Sequence, residues 1–168
     1  MALTRGDMTR TIVVAGVGPG LGESIARKFA AEGCRVGLFA RSESYISALA
    51  AELSETAGDA LAVPTDLSDP AAIAAGFEEV RESFGAVDVL VNHASAAPWK
   101  GLEAVTDAEF DRALDVGPRA ALHCSQEAVA DMREHEGGTI IFTGATTSVR
   151  GRENAIGFSA AKFACRGM

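Results

Sequence analysis

Five short runs of apolar, largely β-branched residues recur along this chain, and each is followed by a longer stretch with helical periodicity. Thr11–Ala15 is apolar enough for a strand buried on both faces. Leu21–Glu32 then reads as a helix stopped by Gly33. Val36–Phe39 and Ala60–Val63 read as the second and third strands, with an Ala/Leu-rich helix over Ser44–Thr56 between them. Asp69-Pro70 opens the next helix, because Asp suits the N-cap and Pro the first helical position. That helix reaches Phe84, and Val87–Val91 is the fourth strand. Thr106 and Glu109 have the spacing of a capping box. They start a long helix that runs to His135 and bends where Gly117-Pro118 interrupts it. Gly137-Gly138 ends it, Ile140–Thr143 is the fifth strand, and a final helix begins near Asn154.

This order implies an α/β chain: a doubly wound parallel sheet with helices on both faces. At 168 residues, 48% of them hydrophobic, one domain can bury a core, and with 6% aromatics that core must be built from Ala, Val, Leu and Ile. Doubly wound sheets commonly have six strands, and the last helix is short. Residues 1–168 are therefore expected to form a single dinucleotide-binding domain that is the front portion of a longer fold, C-terminally short. If nothing follows it, the fifth strand leaves an exposed edge or one covered by a partner.

Charge and cysteine content narrow the partners. A net charge of −8 argues against nucleic acid. No apolar run approaches the roughly 18 residues of a membrane span. Met1–Arg10 has no apolar leader core, and Met8 reads as an alternative start. Cys34, Cys124 and Cys165 are odd in number and form no C-x-x-C, so free thiols in a cytoplasmic protein are expected and a metal site is not.

The turn after the first strand carries the clearest chemistry. Ala15-Gly16-Val17-Gly18-Pro19-Gly20-Leu21-Gly22 joins a strand to a helix, where bare backbone N–H groups and the positive helix end suit a pyrophosphate. Gly16, Gly20 and Gly22 have Gly-x-x-x-Gly-x-Gly spacing; the stricter G-x-G-x-x-G pattern fails at Leu21 and Glu23. A tight turn that binds nothing is the alternative. At the end of the second strand an NAD site commonly has an acid, bonded to the ribose hydroxyls. Here Ala40 is followed by Arg41 and Ser42, a guanidinium and a hydroxyl suited to a 2′-phosphate. NADP(H) is therefore preferred over NAD(H), with a solvated surface charge as the other reading of Arg41.

Together these motifs resemble the short-chain dehydrogenase/reductase family over nearly the whole chain. The glycine spacing matches, with Ala15 in place of the usual Thr. Asp66-Leu67 resembles the pair that holds the adenine. Asn92-His93-Ala94-Ser95 resembles the family's Asn-Asn-Ala-Gly, whose first Asn braces the strands and whose Ala lies against the cofactor. Lys162, in Phe158-Ser159-Ala160-Ala161-Lys162, matches the active-site lysine that bonds the nicotinamide ribose. The resemblance implies a Rossmann-like fold and hydride transfer between NADP(H) and a small-molecule alcohol or carbonyl. It also implies a homo-oligomer, dimer or tetramer, built through the long helix and the Lys-bearing helix.

The departures fall on the reacting groups. The family's proton-transferring Tyr corresponds to Phe158, its Ser to Ala145 and its helix Asn to Gly117, so the catalytic set is reduced to Lys162. The chain's single tyrosine, Tyr45, belongs to the adenosine side. A positioned acid or base contributes roughly 10²–10⁴ in rate, so the ordinary mechanism is severely weakened. Thr143, Thr146, Thr147, Ser148 and Ser159 are nearby hydroxyls. His93 has a side chain that titrates near neutrality, with local packing as its other reading, and Trp99 is open to a pocket or a surface role. Two functions remain: a divergent oxidoreductase, or a catalytically silent nucleotide-binding sensor or partner subunit.

Overall fold

The computed structural model describes residues 9–56 and 58–168; Met8 lies outside the described residues. The elements follow as β1 (Thr11–Ala15), α1 (Leu21–Ala31), β2 (Arg35–Ala40), α2 (Glu43–Thr56), β3 (Ala60–Pro64), α3 (Pro70–Phe84), β4 (Val89–Asn92), α4 (Asp107–Leu114), α5 (Ala120–Glu134), β5 (Thr139–Phe142) and α6 (Ile156–Arg166). Every strand pairing is parallel, in the order β3-β2-β1-β4-β5. The chain winds outward from β1 to β3, then crosses back to β4. Its direction reverses between β1 and β4, and ligand crevices form at that point, beyond the carboxyl ends of the strands. The architecture is the doubly wound, Rossmann-like one.

Strand alternation divides the core in two. Val13, Ala15, Phe39 and Leu90 pack with Ile73, Phe77 and Val80 of α3 and Cys124, Ala128 and Met132 of α5. Ile12, Val14, Val36 and Leu38 pack on the other face with Ala26 and Ala30 of α1 and Ile46, Leu49 and Leu53 of α2. Phe39 and Phe77 meet edge to face at 5.3 Å, a favourable geometry for two ring quadrupoles. β5 closes one side of the sheet, and its Ile141 is 40% exposed.

Local signals act as expected at several helix ends. Asp69 accepts from Ala71 N at 2.9 Å, with Pro70 at the first position of α3. Thr106 and Glu109 cap α4 reciprocally. Most element ends fall within one residue of expectation, and three differ by more. β4 begins at Val89 rather than Val87, because Val87 N donates to the Asp131 carboxylate instead of to the ladder (2.9 Å). The final helix begins at Ile156, because Asn154 adopts a left-handed φ of 57° just before it. The long helix is two helices, α4 and α5, joined by a π-helical turn over Asp115–Arg119. Pro118 has no N–H to donate and its ring crowds the preceding turn, so the helix widens there.

A set of polar contacts ties the opposite edge of the sheet, where strands begin. Asp88 accepts from Thr11 N (2.8 Å), and Thr11 Oγ1 donates to Phe84 O (3.0 Å). Asp131 of α5 binds both Val87 N and Arg81 Nε of α3 (2.8 Å), while Arg81 also reaches Glu127 (2.9 Å).

Candidate functional site

At the carboxyl ends of β1, β2, β4 and β5 lies a cleft of about 720 Å³. Its floor is the glycine turn, where Gly16 N and Val17 N donate to Phe39 O at 3.0 and 2.9 Å. Gly16 has φ 109°, and a Cβ there would stand 2.6 Å from the backbone of Ala94. Only glycine lets these two turns touch. A Cβ on Gly22 would likewise meet Gly16 O at 2.5 Å. Gly18 and Gly20 are the reverse case, since a Cβ on either would meet nothing within 4 Å. Bare backbone faces open space at the start of α1, and no side chain caps that helix. Unclaimed N–H groups, a positive helix end and space for a bulky anion fit the phosphates of a dinucleotide.

Beyond the glycine turn the cleft is lined by Arg41 and Ser42 after β2 and by Asp66 and Leu67 after β3. Asp66 Oδ1 accepts from Ser68 Oγ at 2.7 Å and Ser68 N at 3.0 Å. These bonds hold its carboxyl below the usual range, and the charges of Arg41 and Arg112 add to the effect. Tyr45 donates to the Glu23 carboxylate on the outer side of α1 and α2, remote from the reacting end.

At the other end the lining comes from His93 and Ala94 after β4, Thr143 and Ala145 after β5, and Phe158 and Lys162 of α6. Lys162 is 7% exposed. Its Nζ donates to Thr143 O at 2.8 Å, and burial pushes the ammonium below its ordinary pKa. His93 Nδ1 lies 3.1 Å from Thr143 Oγ1. Burial, then the charge of Lys162, holds His93 below its ordinary value. Thr143 thus joins both titratable groups, one through its hydroxyl and one through its carbonyl.

Phe158 occupies the wall above Lys162, with Nζ 5.7 Å from the ring centroid. Trp99 lies against Phe158 at 5.6 Å, and the Arg152 guanidinium lies over the Trp99 ring at 4.9 Å. Lys162, Phe158, Trp99 and Arg152 are therefore linked through successive contacts at the position where the resemblance puts the family's Tyr. Ser159 Oγ is buried and unbonded, as is Thr147 Oγ1, and neither residue lines the cleft. Gly117, in the π-helical turn, passes so close to α6 that a Cβ would meet Ala161 Cβ at 3.1 Å.

Of the cofactor-binding residues expected from the sequence, Gly16, Gly18, Pro19, Arg41 and Ser42 line this one cleft, together with Asp66, Leu67, Ala94 and Lys162. Three do not. Gly20 caps α1 and Leu21 is 55% exposed on its first turn. Asn92 Nδ2 donates to Ser125 Oγ of α5 at 3.2 Å, and its carbonyl accepts from Thr143 N, so it fastens β4 to α5 and β5. Arg112 of α4 lines the cleft and was not foreseen. Nothing in helical periodicity separates an arginine over a cleft from one in solvent; only the packing of α4 reveals it.

An open glycine turn at the switch point of a doubly wound parallel sheet has the geometry that suits a dinucleotide. Residues 10–168 match the model of the short chain dehydrogenase family, and the chain belongs to that family. It is 31% identical over 161 residues to a 3alpha-hydroxysteroid dehydrogenase of Mediterraneibacter gnavus, covering 95% of this chain and 64% of that protein. It is 32% identical over 162 residues to a levodione reductase of Leifsonia aquatica, covering 95% of this chain and 61% of that one. The structure of a metagenomic short-chain oxidoreductase in complex with NADP superposes with a TM-score of 0.88 at 30% identity, covering 94% of this chain and 72% of that one. The chain thus spans less than two thirds of the length of these two sequence relatives. Among the described residues, no helix is long and apolar enough to cross a membrane.

Proposed function

We propose that the chain acts as a single dinucleotide-binding domain of an NADP(H)-dependent oxidoreductase, working on an alcohol or carbonyl with Lys162 as its remaining catalytic residue. The observation that carries this reading is one continuous cleft with open glycine backbone at one end and a buried lysine at the other. A bound nicotinamide cofactor supplies or accepts the hydride. Gly16, Gly18 and Pro19 seat its phosphates beside the start of α1. Arg41 and Ser42 receive the 2′-phosphate, and Asp66 and Leu67 receive the adenine. Ala94 packs against the nucleotide, and Lys162 turns toward the ribose hydroxyls from its bond to Thr143. Phe158 and Ala145 offer no proton to a substrate oxygen, so turnover rests on proximity and is slow.

A specific observation favours a second reading, a catalytically silent nucleotide sensor or partner subunit. Phe158 is held against Trp99 and over Lys162, which makes the reacting end an apolar wall. Parallel fluorescence titrations with NADPH and NADH test the binding site: tighter NADPH binding is expected, with the preference lost in Arg41→Asp. NADPH absorbance across a panel of ketones, aldehydes and alcohols then separates the readings, and no turnover on any of them would sink the enzymatic one. A homo-oligomer in the cytoplasm completes the proposal. It is supported by the exposed Leu122 of α5 and Phe163 of α6 and by three free thiols. Sedimentation showing only monomer would refute the assembly.

A further inference from the structure

The adenosine end of the cleft is more cationic than its assigned residues require, and the inference drawn from this rests on the nucleotide-binding reading above. The protein carries a net charge of −8, yet two guanidiniums line this end, Arg41 from β2 and Arg112 from α4. They come from different elements, and both charges act on Asp66. Among the described lining residues Asp66 is the sole carboxylate, and Ser68 already occupies one of its oxygens with two hydrogen bonds.

The acids that could hold Arg112 along its own helix are engaged elsewhere. Glu109, one turn before it, is taken by Lys100 at 2.6 Å and by the backbone of Thr106 at 3.0 Å. Asp115, three residues after it, pairs with Arg119. Among the described residues neither Arg41 nor Arg112 is in an ion pair; the same holds for Arg10, Arg133, Arg150, Arg152 and Arg166, but none of those five lines the cleft. Two unclaimed guanidiniums and one partly satisfied carboxylate leave this end with a surplus positive charge, suited to a dianion. A phosphate monoester carries about −1.5 to −2 near neutral pH, and forked guanidinium donors match its oxygens.

We propose that Arg112 is the second arm of a phosphate clamp: together with Arg41 and Ser42 it grips the 2′-phosphate of NADP(H). Cofactor choice is then read from two walls at once, and α4 is a specificity element rather than only a packing helix. A guanidinium that merely covered the adenine would strengthen NADPH and NADH alike, and this difference makes the proposal testable.

The test is calorimetric titration of the wild type, Arg112→Gln, Arg112→Lys and Arg41→Gln with NADPH, NADH, 2′,5′-ADP and 5′-AMP, after thermal melts confirm that each variant folds. Arg112→Gln is expected to weaken NADPH and 2′,5′-ADP about tenfold. It should leave NADH and 5′-AMP within about twofold, as for a surface substitution with no partner. Arg112→Lys should fall between, keeping charge but losing the fork. Equal weakening of phosphorylated and unphosphorylated ligands overturns the clamp, as does an unchanged NADPH affinity; in both cases wild-type NADPH binding leaves the nucleotide-binding reading standing. No binding of any of the four ligands by the wild type overturns the clamp and that reading together.

Discussion

The two ends of the cleft are built from different materials. The glycine-turn end is largely backbone, the turn after β1 and the start of α1, with the side chains of Arg41, Ser42 and Asp66 beyond it. The Lys162 end is made of side chains that follow β4 and β5 and that stand on α6. Backbone recognition tolerates few sequences, because a Cβ at Gly16 would collide with Ala94. Side-chain chemistry can be exchanged without disturbing the fold, and Phe158 and Ala145 stand in a cleft whose other half keeps its glycine geometry. On the proposed function, binding rests first on the path of the chain, whereas reactivity rests on what hangs from it.

The largest expected effect comes from restoring chemistry at the exchangeable end. Phe158→Tyr combined with Ala145→Ser should raise carbonyl-dependent NADPH consumption by about 10²–10⁴. An unchanged rate, measured by absorbance, would mean that the reacting end has lost geometry as well as hydroxyls. At the backbone end the penalty should appear in folding itself. Gly16→Val places a branched side chain at a left-handed φ against the Ala94 backbone, and should cost about 3 kcal/mol or more in denaturant unfolding. Gly18→Ala meets open space and should stay within about 0.5 kcal/mol of wild type while weakening nucleotide binding. If both variants behaved alike, the distinction between a packed and a ligand-facing glycine would fail.

Lys162 joins the two ends and should separate affinity from stability. Its ammonium is disfavoured by burial, so Lys162→Met is expected to leave stability unchanged or raise it by about 1 kcal/mol, with weaker nucleotide binding. A large loss of stability would make the lysine a structural brace of β5. The smallest effect concerns His93. Burial, then the Lys162 charge, lowers its folded pKa below the ordinary 6.5. The unfolded chain therefore takes up the proton first as pH falls. The stability contribution is full above about pH 6.5 and is lost as the pH drops through the folded value. Urea unfolding at a series of pH values should show this decline in wild type and a shallower one in His93→Gln, which can still bond Thr143. Identical slopes would remove His93 from the account.

Much of this was legible in the sequence. β-Branched runs mark the five strands because buried parallel strands need apolar side chains on both faces. Asp69-Pro70 and Thr106 with Glu109 mark helix starts because capping is local chemistry. The glycine spacing located the turn, and Arg41-Ser42 fell on the cleft because a strand end is a fixed address. What escaped depends on contacts between distant segments. Arg112 meets the cleft only through the packing of α4, and Asn92 turns to Ser125 because α5 lies beneath it. The Phe158, Trp99 and Arg152 row brings together three loops and helices that no periodicity relates. Gly117-Pro118 signalled an interruption, but whether the helix bends or widens there depends on how its neighbours pack. Asp131 removed Val87 from β4 through a contact 44 residues away.

That contact belongs to the fastening at the far edge of the sheet, where Asp88, Asp131, Arg81 and Thr11 tie strand starts to α3 and α5. Since none of these residues lines the cleft, the fold is secured at one rim and open to ligand at the other. Side chains that hang into the open rim, Phe158 and Ala145 among them, can be exchanged without touching the contacts that hold the strand starts. Such a molecule separates what keeps it folded from what it presents to a ligand.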